Sequence, residues 1–333
     1  MKHTRLCLAL LGAALARTPS DPHPVSTSID GLADYTHTMP FVNLVKQSRP
    51  PGSARSPYDN NCSVDAAGWP TQDFGLVLIT DDASPPPPQG TGVLMEGVYT
   101  ISATGNASLT FPGTTGALLN CSYSPSPSNK LLCFYNVTAS GNLWIGFTGT
   151  QRDPASPSLG GGLVDVVVLQ PGYGLDRAED FTDALLTLVS RFDSLRFMDW
   201  RSTNGNTELS WANRTLPSRV SYVTSTGIPW EACVALANRV GRDLWINIPA
   251  MVDDDYIEQL GALLAGSVDP SLAIYFEYSN EVYVRGLPPY STSKIPLPLT
   301  PHCSLPSSPT PPQLELAVCA DTLFLSCRQC LSA

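Results

Sequence analysis

LAIYFEYSNE, residues 272–281, is the stretch that decides how this chain reads. Leu272 to Tyr278 is apolar or aromatic apart from Glu277, and turn residues follow it, the pattern of a buried β-strand. Alternation along that strand puts Glu277 on the same side as Glu281. A buried carboxylate needs a partner, and Arg196 is the expected one for Glu277. The same rhythm runs upstream. Asp253 to Leu264 predicts a helix opened by three acids that suit its cap and dipole. Leu244 to Ile248 predicts a strand. Pro229 to Val240 predicts a helix, with Pro229 near its first turn and Gly241 just past its end. Leu195 to Trp200 predicts a strand and Glu179 to Phe192 a helix. Leu163 to Leu169 is a continuous apolar run broken by one acid, as in a strand covered on both faces. Strands alternating with helices across short links predict parallel βα units. Four such units, over residues 163–286, fit a small open sheet or half of a (β/α)8 barrel, which takes roughly 250 residues.

The front of the chain has a different period. Between residues 39 and 150 the apolar runs are short and separated by Gly, Pro, Asn and Ser, which predicts a β-sandwich or jelly roll. Pro85 to Pro88 must be a loop, because four prolines remove four ladder donors. Residues 151–162 (QRDPASPSLGGG) read as a linker, and the Pro/Ser-rich residues 17–38 as a mobile leader. Residues 287–333 are Pro/Ser/Thr-rich and then Cys-rich, and predict a disordered tail.

Composition narrows the function classes. The 333 residues are 43% hydrophobic and only 14% charged, with 31 prolines and a formal charge of −10. That charge disfavours nucleic acid and anionic membranes as partners and does not oppose a neutral glycan. Lys2, His3 and Arg5 precede an apolar core, Leu6 to Ala16, ending in Ala14-Leu15-Ala16, which predicts a signal peptide over 1–16. No other run has the roughly 18 apolar residues of a membrane span. Asn-x-Ser/Thr sequons stand at Asn61, Asn106, Asn120, Asn136 and Asn213. Past Cys7 the cysteine count is even, which in an exported chain predicts disulfides, with Cys121 and Cys133 the best pair across their Ser/Pro turn. No metal site is expected: Cys327 and Cys330 have CxxC spacing, but no second CxxC exists and His302 is the only nearby His. No cofactor is expected either.

In parallel α/β folds the chemistry sits at the C-terminal strand ends. Here those ends carry Asp199, Trp200, Arg201 and Asn204, then Asn247, then Tyr278, Asn280 and Glu281, with Trp211 and Trp230 in neighbouring loops. Carboxylates, amides and aromatic rings are the groups that hold sugars. Together with FVNLVKQSR (41–49), GWPTQDFG (68–75), LRFMDWRSTNG (195–205), GIPWEACVALANRVGRDLWINIPA (227–250) and IYFEYSNEVY (274–283), this pattern resembles the cellulase-like clan of retaining glycoside hydrolases, in a secreted form with an N-terminal β domain. The resemblance implies a (β/α)8 barrel truncated after strand four, with Glu281 as the catalytic acid/base and Asn280 on the sugar's 2-hydroxyl. It implies that Arg201 or Asp199 helps orient the sugar or a catalytic carboxylate, while Trp200, Asn204, Trp211, Trp230 and Tyr278 are sugar-binding candidates from their places at the strand ends and in the neighbouring loops. The clan's nucleophile comes from a seventh strand, which this chain lacks, so little or no catalysis is expected. The expected fold is thus an N-terminal β-sandwich, then the first half of a barrel, then a disordered tail. The expected protein is a secreted, cell-wall-associated, glycoside-hydrolase-like one. A non-enzymatic glycan-binding glycoprotein is the alternative, with Trp69, Phe74 and Trp144 of the β domain as stacking platforms. The tail is read either as a natural short form with a stalk-like end or as a truncated gene product.

Overall fold

The computed structural model describes residues 25–36, 38–80, 95–156, 158, 160–176 and 180–280, and the backbone of two strands at 316–319 and 322–328. In chain order the strands are β1 (Ser26–Ser28), β2 (Phe74–Ile79), β3 (Gly97–Thr104), β4 (Asn106–Thr110), β5 (Gly116–Ser124), β6 (Lys130–Val137) and β7 (Leu143–Gln151). They continue with β8 (Val164–Leu169), β9 (Ser194–Arg196), β10 (Asp243–Ile248), β11 (Ala273–Tyr278), β12 (Leu316–Cys319) and β13 (Thr322–Arg328). The α-helices are short: α1 (Asp183–Val189), α2 (Trp230–Val240) and α3 (Asp254–Ser267). The chain divides into two compact units. One gathers Asp30–Arg191 and Thr215–Trp230; the other gathers Phe192–Arg214 and the residues from Glu231 on, together with the strand that precedes Asp30.

The first unit holds two antiparallel sheets, ordered β2-β7-β4 and β5-β6-β3-β8. Their inward side chains meet in one core. Tyr99, Ile101 and Ala103 of β3 and Leu131, Cys133, Tyr135 and Val137 of β6 face Leu143, Ile145 and Phe147 of β7. Period-two alternation makes these strands, since every second residue is apolar and buried. Strand β2 is buried along its whole length, because residues 49–57 cover it. Gly52 and Gly75 exchange backbone hydrogen bonds of 2.9 and 2.8 Å, and a Cβ on Gly75 would lie 2.6 Å from a Pro57 ring carbon. The expected Cys121–Cys133 disulfide is present, joining directly paired residues of β5 and β6.

The second unit holds one mixed sheet, ordered β1-β9-β10-β11-β13-β12. Strands β1, β9, β10 and β11 run parallel, and β13 pairs antiparallel with β11. Helix α2 connects β9 to β10 and α3 connects β10 to β11. The Asp253 carboxylate caps α3 by accepting from the Tyr256 N–H at 2.8 Å, so the acid cluster there serves the helix end.

This corrects the expected fold of a β-sandwich over 39–150 followed by half of a (β/α)8 barrel over 163–286. The described chain is mainly β-structure in three sheets, with three short helices. The run Leu163–Leu169, read as the first barrel strand, is β8, an edge strand antiparallel to β3 in the first unit. A continuous apolar run reports that both faces of a strand are covered, and carries no information on whether its neighbours are parallel. Strand β11 is followed in its sheet by an antiparallel neighbour, which ends the parallel order that a barrel needs. The segment 151–162, read as a linker, is fastened into the first unit: the Arg152 guanidinium bonds Asp65 at 2.8 Å and the Pro70 carbonyl at 2.9 Å.

Candidate functional site

One face of the parallel sheet is unusually polar. Register aligns Arg196 of β9 with Trp245 of β10 and Tyr275 of β11, and aligns Asn247 with Glu277. Alternation therefore projects all five side chains to the same side, while Leu195, Leu244, Ile246 and Ile274 point to the other side and are buried. On the polar side, Arg196 grips Glu277 with a fork: Nε and Nη2 donate to Oε2 at 3.0 and 2.8 Å, and Nη2 also reaches Oε1 at 3.0 Å. The Trp245 indole N–H donates to the same Oε2 at 2.9 Å. The guanidinium carbon lies 5.2 Å from the Trp245 ring centroid. Glu277 is 4% exposed, so its charge survives burial only because those donors surround it.

The network continues past the strand end. Arg196 Nη2 donates to Asn280 Oδ1 at 2.8 Å, and Asn280 Nδ2 donates to Asn204 Oδ1 at 3.1 Å. Asn280 is aimed there by a turn at Ser279, whose φ of 57° lies in the left-handed region that costs a non-glycine residue about 1–3 kcal/mol. That turn is pinned twice: the Ser279 N–H donates to the Ile248 carbonyl at 2.8 Å, and Asn247 Nδ2 donates to the Ser279 carbonyl at 2.8 Å. Asn247 is fully buried, and its Oδ1 accepts no hydrogen bond from the described residues.

The structure sorts the residues singled out in the sequence. Asn280 and Asn204 are drawn into one network, and Tyr278 stands beside it, 48% exposed, with its hydroxyl on the Ala250 carbonyl at 2.7 Å. Asp199 is exposed on the turn after β9. Arg201 is a correction. It is fully buried and bound at 2.7 Å to the equally buried Glu208, whose Oε2 also accepts the Tyr256 hydroxyl at 2.7 Å. It therefore holds the 201–208 loop and presents nothing to solvent. Trp200 and Trp230 are likewise interior, at 1% and 0% exposure. Trp211 lies on a short 3-10 turn, edge-on to Tyr256 at 5.1 Å, with the Arg214 guanidinium 4.0 Å over its ring. Glu281, the expected acid, lies outside the described residues, as do the signal peptide and most of the tail. Of the alternative platforms, Phe74 is a core residue stacked on Phe147 at 4.5 Å. Trp69 packs partly buried against the same core, and Trp144 sits 5.6 Å from Tyr58.

Trp245 was not among the residues singled out in the sequence, where Arg196 stood only as the partner of Glu277 and Asn247 only as a strand-end residue, because the chemistry of a parallel sheet is expected at the ends of its strands. The signal was there in DLWINI (243–248), where Asp243, Trp245 and Asn247 alternate with Leu, Ile and Ile. Such a strand has one face built for polar contacts. Chemically, the cluster offers a planar guanidinium, a carboxylate, two amides and a half-buried indole. These groups fix paired hydroxyls and stack on a ring face. Among the described residues no group of three or more His, Cys, Asp or Glu is placed to hold a metal ion, and no helix is long and apolar enough to cross a membrane. The chain matches no protein-family model, no curated protein and no solved structure.

Proposed function

We propose that this protein recognises a neutral polysaccharide, with its site at the polar face formed by Arg196, Trp245, Glu277, Asn280 and Asn204. The observation that carries the reading is the hydrogen-bonded lattice of planar side chains around the Trp245 indole. Bidentate groups held rigid by one another bind hydroxyl pairs without a further ordering cost. The resemblance of residues 195–205, 227–250 and 274–283 to secreted sugar-cleaving proteins supports the ligand class. The net charge of −10 supports a neutral ligand over a polyanion. The Cys121–Cys133 disulfide supports an oxidising, extracellular setting.

Binding is favoured over hydrolysis because Glu277, the carboxylate at the centre of the lattice, is committed to other partners. Its Oε2 already accepts three N–H bonds and its Oε1 a fourth, so it is placed to orient Arg196 and Trp245 and not to pass a proton to a glycosidic oxygen. The test is calorimetric titration of the secreted full chain with neutral β-linked oligosaccharides, with tryptophan fluorescence in parallel. Saturable binding is expected, lost in Trp245→Ala and weakened in Asn280→Ala. Failure to bind any neutral oligosaccharide, or binding that survives both substitutions, would refute the reading.

A further inference from the structure

The two-sheet unit has four sheet edges, and the chain treats them differently. On the β2 edge, the Arg49 N–H donates to the Val77 carbonyl at 3.3 Å, and Gly52 and Gly75 bond each other in both directions. On the β8 edge, Asn43 bridges Leu169, its Oδ1 accepts from the Val168 N–H at 3.0 Å, and the Gln170 N–H donates to the Val42 carbonyl at 3.1 Å. One segment, residues 42–52, therefore closes both edges. The other two edges are β4, which pairs only with β7, and β5, which pairs only with β6. Among the described residues, no backbone group bonds the outer side of either strand.

An open edge offers a row of unpaired N–H and C=O groups to any other strand, and proteins usually blunt it with Lys, Pro or an inward charge. Strands β4 (NASLT) and β5 (GALLNCSYS) contain no charged residue and no proline. Strand β5 also exposes Leu118 at 44% and Leu119 at 57%. What each strand does contain is a sequon: Asn106-Ala107-Ser108 on β4 and Asn120-Cys121-Ser122 on β5. Asn120 is exposed and Asn106 partly so. Asn136, by contrast, is on the inner strand β6, Asn61 is in an exposed loop, and Asn213 ends the exposed 3-10 turn that begins at Trp211.

We propose that Asn106 and Asn120 carry N-linked oligosaccharides, and that these shield the two open edges from pairing with a second copy of the chain. In the transfer, the asparagine Nδ2 attacks the anomeric carbon of a lipid-pyrophosphate-linked oligosaccharide. The new C–N bond replaces the C–O bond to pyrophosphate, the lipid pyrophosphate leaves, and the amide gives up one proton; nothing is oxidised or reduced. A branched sugar on an edge strand is bulky and hydrated, and so does sterically what Lys or Pro does elsewhere.

The test is the full chain secreted from a eukaryotic host. Glycopeptide mapping is expected to find Asn106 and Asn120 occupied, and light scattering to give the mass of one glycosylated chain. The pairs Asn106→Gln/Asn120→Gln and Ser108→Ala/Ser122→Ala are each expected to at least double the weight-average mass. Ser108→Thr/Ser122→Thr, which keeps both sequons, and Asn213→Gln are expected to leave the mass that of a single copy. Enzymatic removal of the sugars from the folded wild-type protein gives the same reading without any substitution. An unmodified Asn106 or Asn120 in the secreted protein, retention of an unglycosylated chain in the cell, or a de-glycosylated protein that stays single would overturn the proposal. None of these outcomes depends on whether the Trp245 face binds saccharide.

Discussion

Removing Arg196 tests the candidate site at its keystone. Arg196 supplies three of the four N–H bonds to Glu277 and the only described donor to Asn280 Oδ1. In Arg196→Ala the Glu277 side chain, 5% exposed, keeps only the Trp245 N–H. Breaking one side of a buried pair costs about 3–5 kcal/mol, because the other charge is left uncompensated. Arg196 is itself 18% exposed, so water reaches part of the pair and the lower end of that range, about 3 kcal/mol, is expected. Glu277→Gln in the native background loses the charge but keeps an amide oxygen for Arg196 and Trp245, and is expected to cost about 1–2 kcal/mol. The double variant is expected to be more stable than the sum of the single losses by at least 1 kcal/mol, since removing both partners removes the stranded charge. Arg196→Lys keeps the charge without the planar fork and should fall between wild type and Arg196→Ala. Urea unfolding at constant m-value reads all four variants against wild type. Single losses that add within about 0.5 kcal/mol would refute the coupling that the site rests on.

Other outcomes follow from the described geometry. Cys121→Ser, made with Cys133→Ser, opens a loop of sequence separation 12 and should destabilise the two-sheet unit by about 3 kcal/mol, read as a lowered thermal midpoint beside an unchanged wild type under non-reducing conditions. Burial pushes the Cys233 thiol up to about 12, while Cys62 is only partly buried; iodoacetamide should label Cys62 in the folded protein and spare Cys233, and equal labelling would contradict that packing. Lys46 donates to the Pro217 and Arg219 carbonyls at 3.1 and 2.7 Å, and burial lowers its ammonium from 10.5 to about 8 in spite of Asp180. Between those values the unfolded chain binds more protons than the folded one, so this group adds stability as pH rises from about 8 to 10.5 and adds none below 8. Unfolding midpoints across that window should rise in wild type relative to Lys46→Met, and parallel curves would exclude the effect.

Much of the local structure was legible because it depends on spacing. Tyr99, Ile101 and Ala103, like Leu131, Cys133, Tyr135 and Val137, alternate strictly, and a strand with one buried side is the only element that satisfies them. The Arg196–Glu277 pair was legible because a carboxylate inside an apolar strand demands a cation. Strand neighbours were not legible. Val166, Val168 and Leu169 are buried whether β8 lies between parallel strands or beside antiparallel β3 under the 42–43 segment, and nothing within 163–169 distinguishes the two. The loop residues after β9 were read as surface groups because they follow a strand end. Arg201 turned inward because Glu208, only seven residues on, and the Tyr256 hydroxyl of α3 accept hydrogen bonds from its guanidinium in the interior, which no local pattern reports.

The site itself follows from one period-two strand. In β10, Leu244, Ile246 and Ile248 form one side, and Asp243, Trp245 and Asn247 the other. A strand that only had to pack between two covered faces would be apolar on both, as β2 is over its whole length. Each polar residue of β10 instead holds a specific group on β11 or just beyond it. Asp243 Oδ1 accepts the Ala273 N–H at 2.9 Å, Trp245 holds Glu277 at 2.9 Å, and Asn247 holds the Ser279 carbonyl at 2.8 Å. These contacts climb the sheet at steps of two residues and end at the left-handed Ser279 turn that delivers Asn280 to Arg196. The strain at Ser279 is thus balanced by a ladder reaching back to the start of β10, and Asn247, at its last rung, controls where Asn280 points. Asn247→Leu keeps the volume and removes the rung. It is expected to release the Ser279 turn, lengthen the Asn280–Arg196 contact and weaken saccharide binding by about tenfold, the equivalent of one lost hydrogen bond of about 1.4 kcal/mol. If Asn247→Leu binds saccharide as wild type does while Asn280→Ala does not, Asn280 is positioned by something other than this ladder.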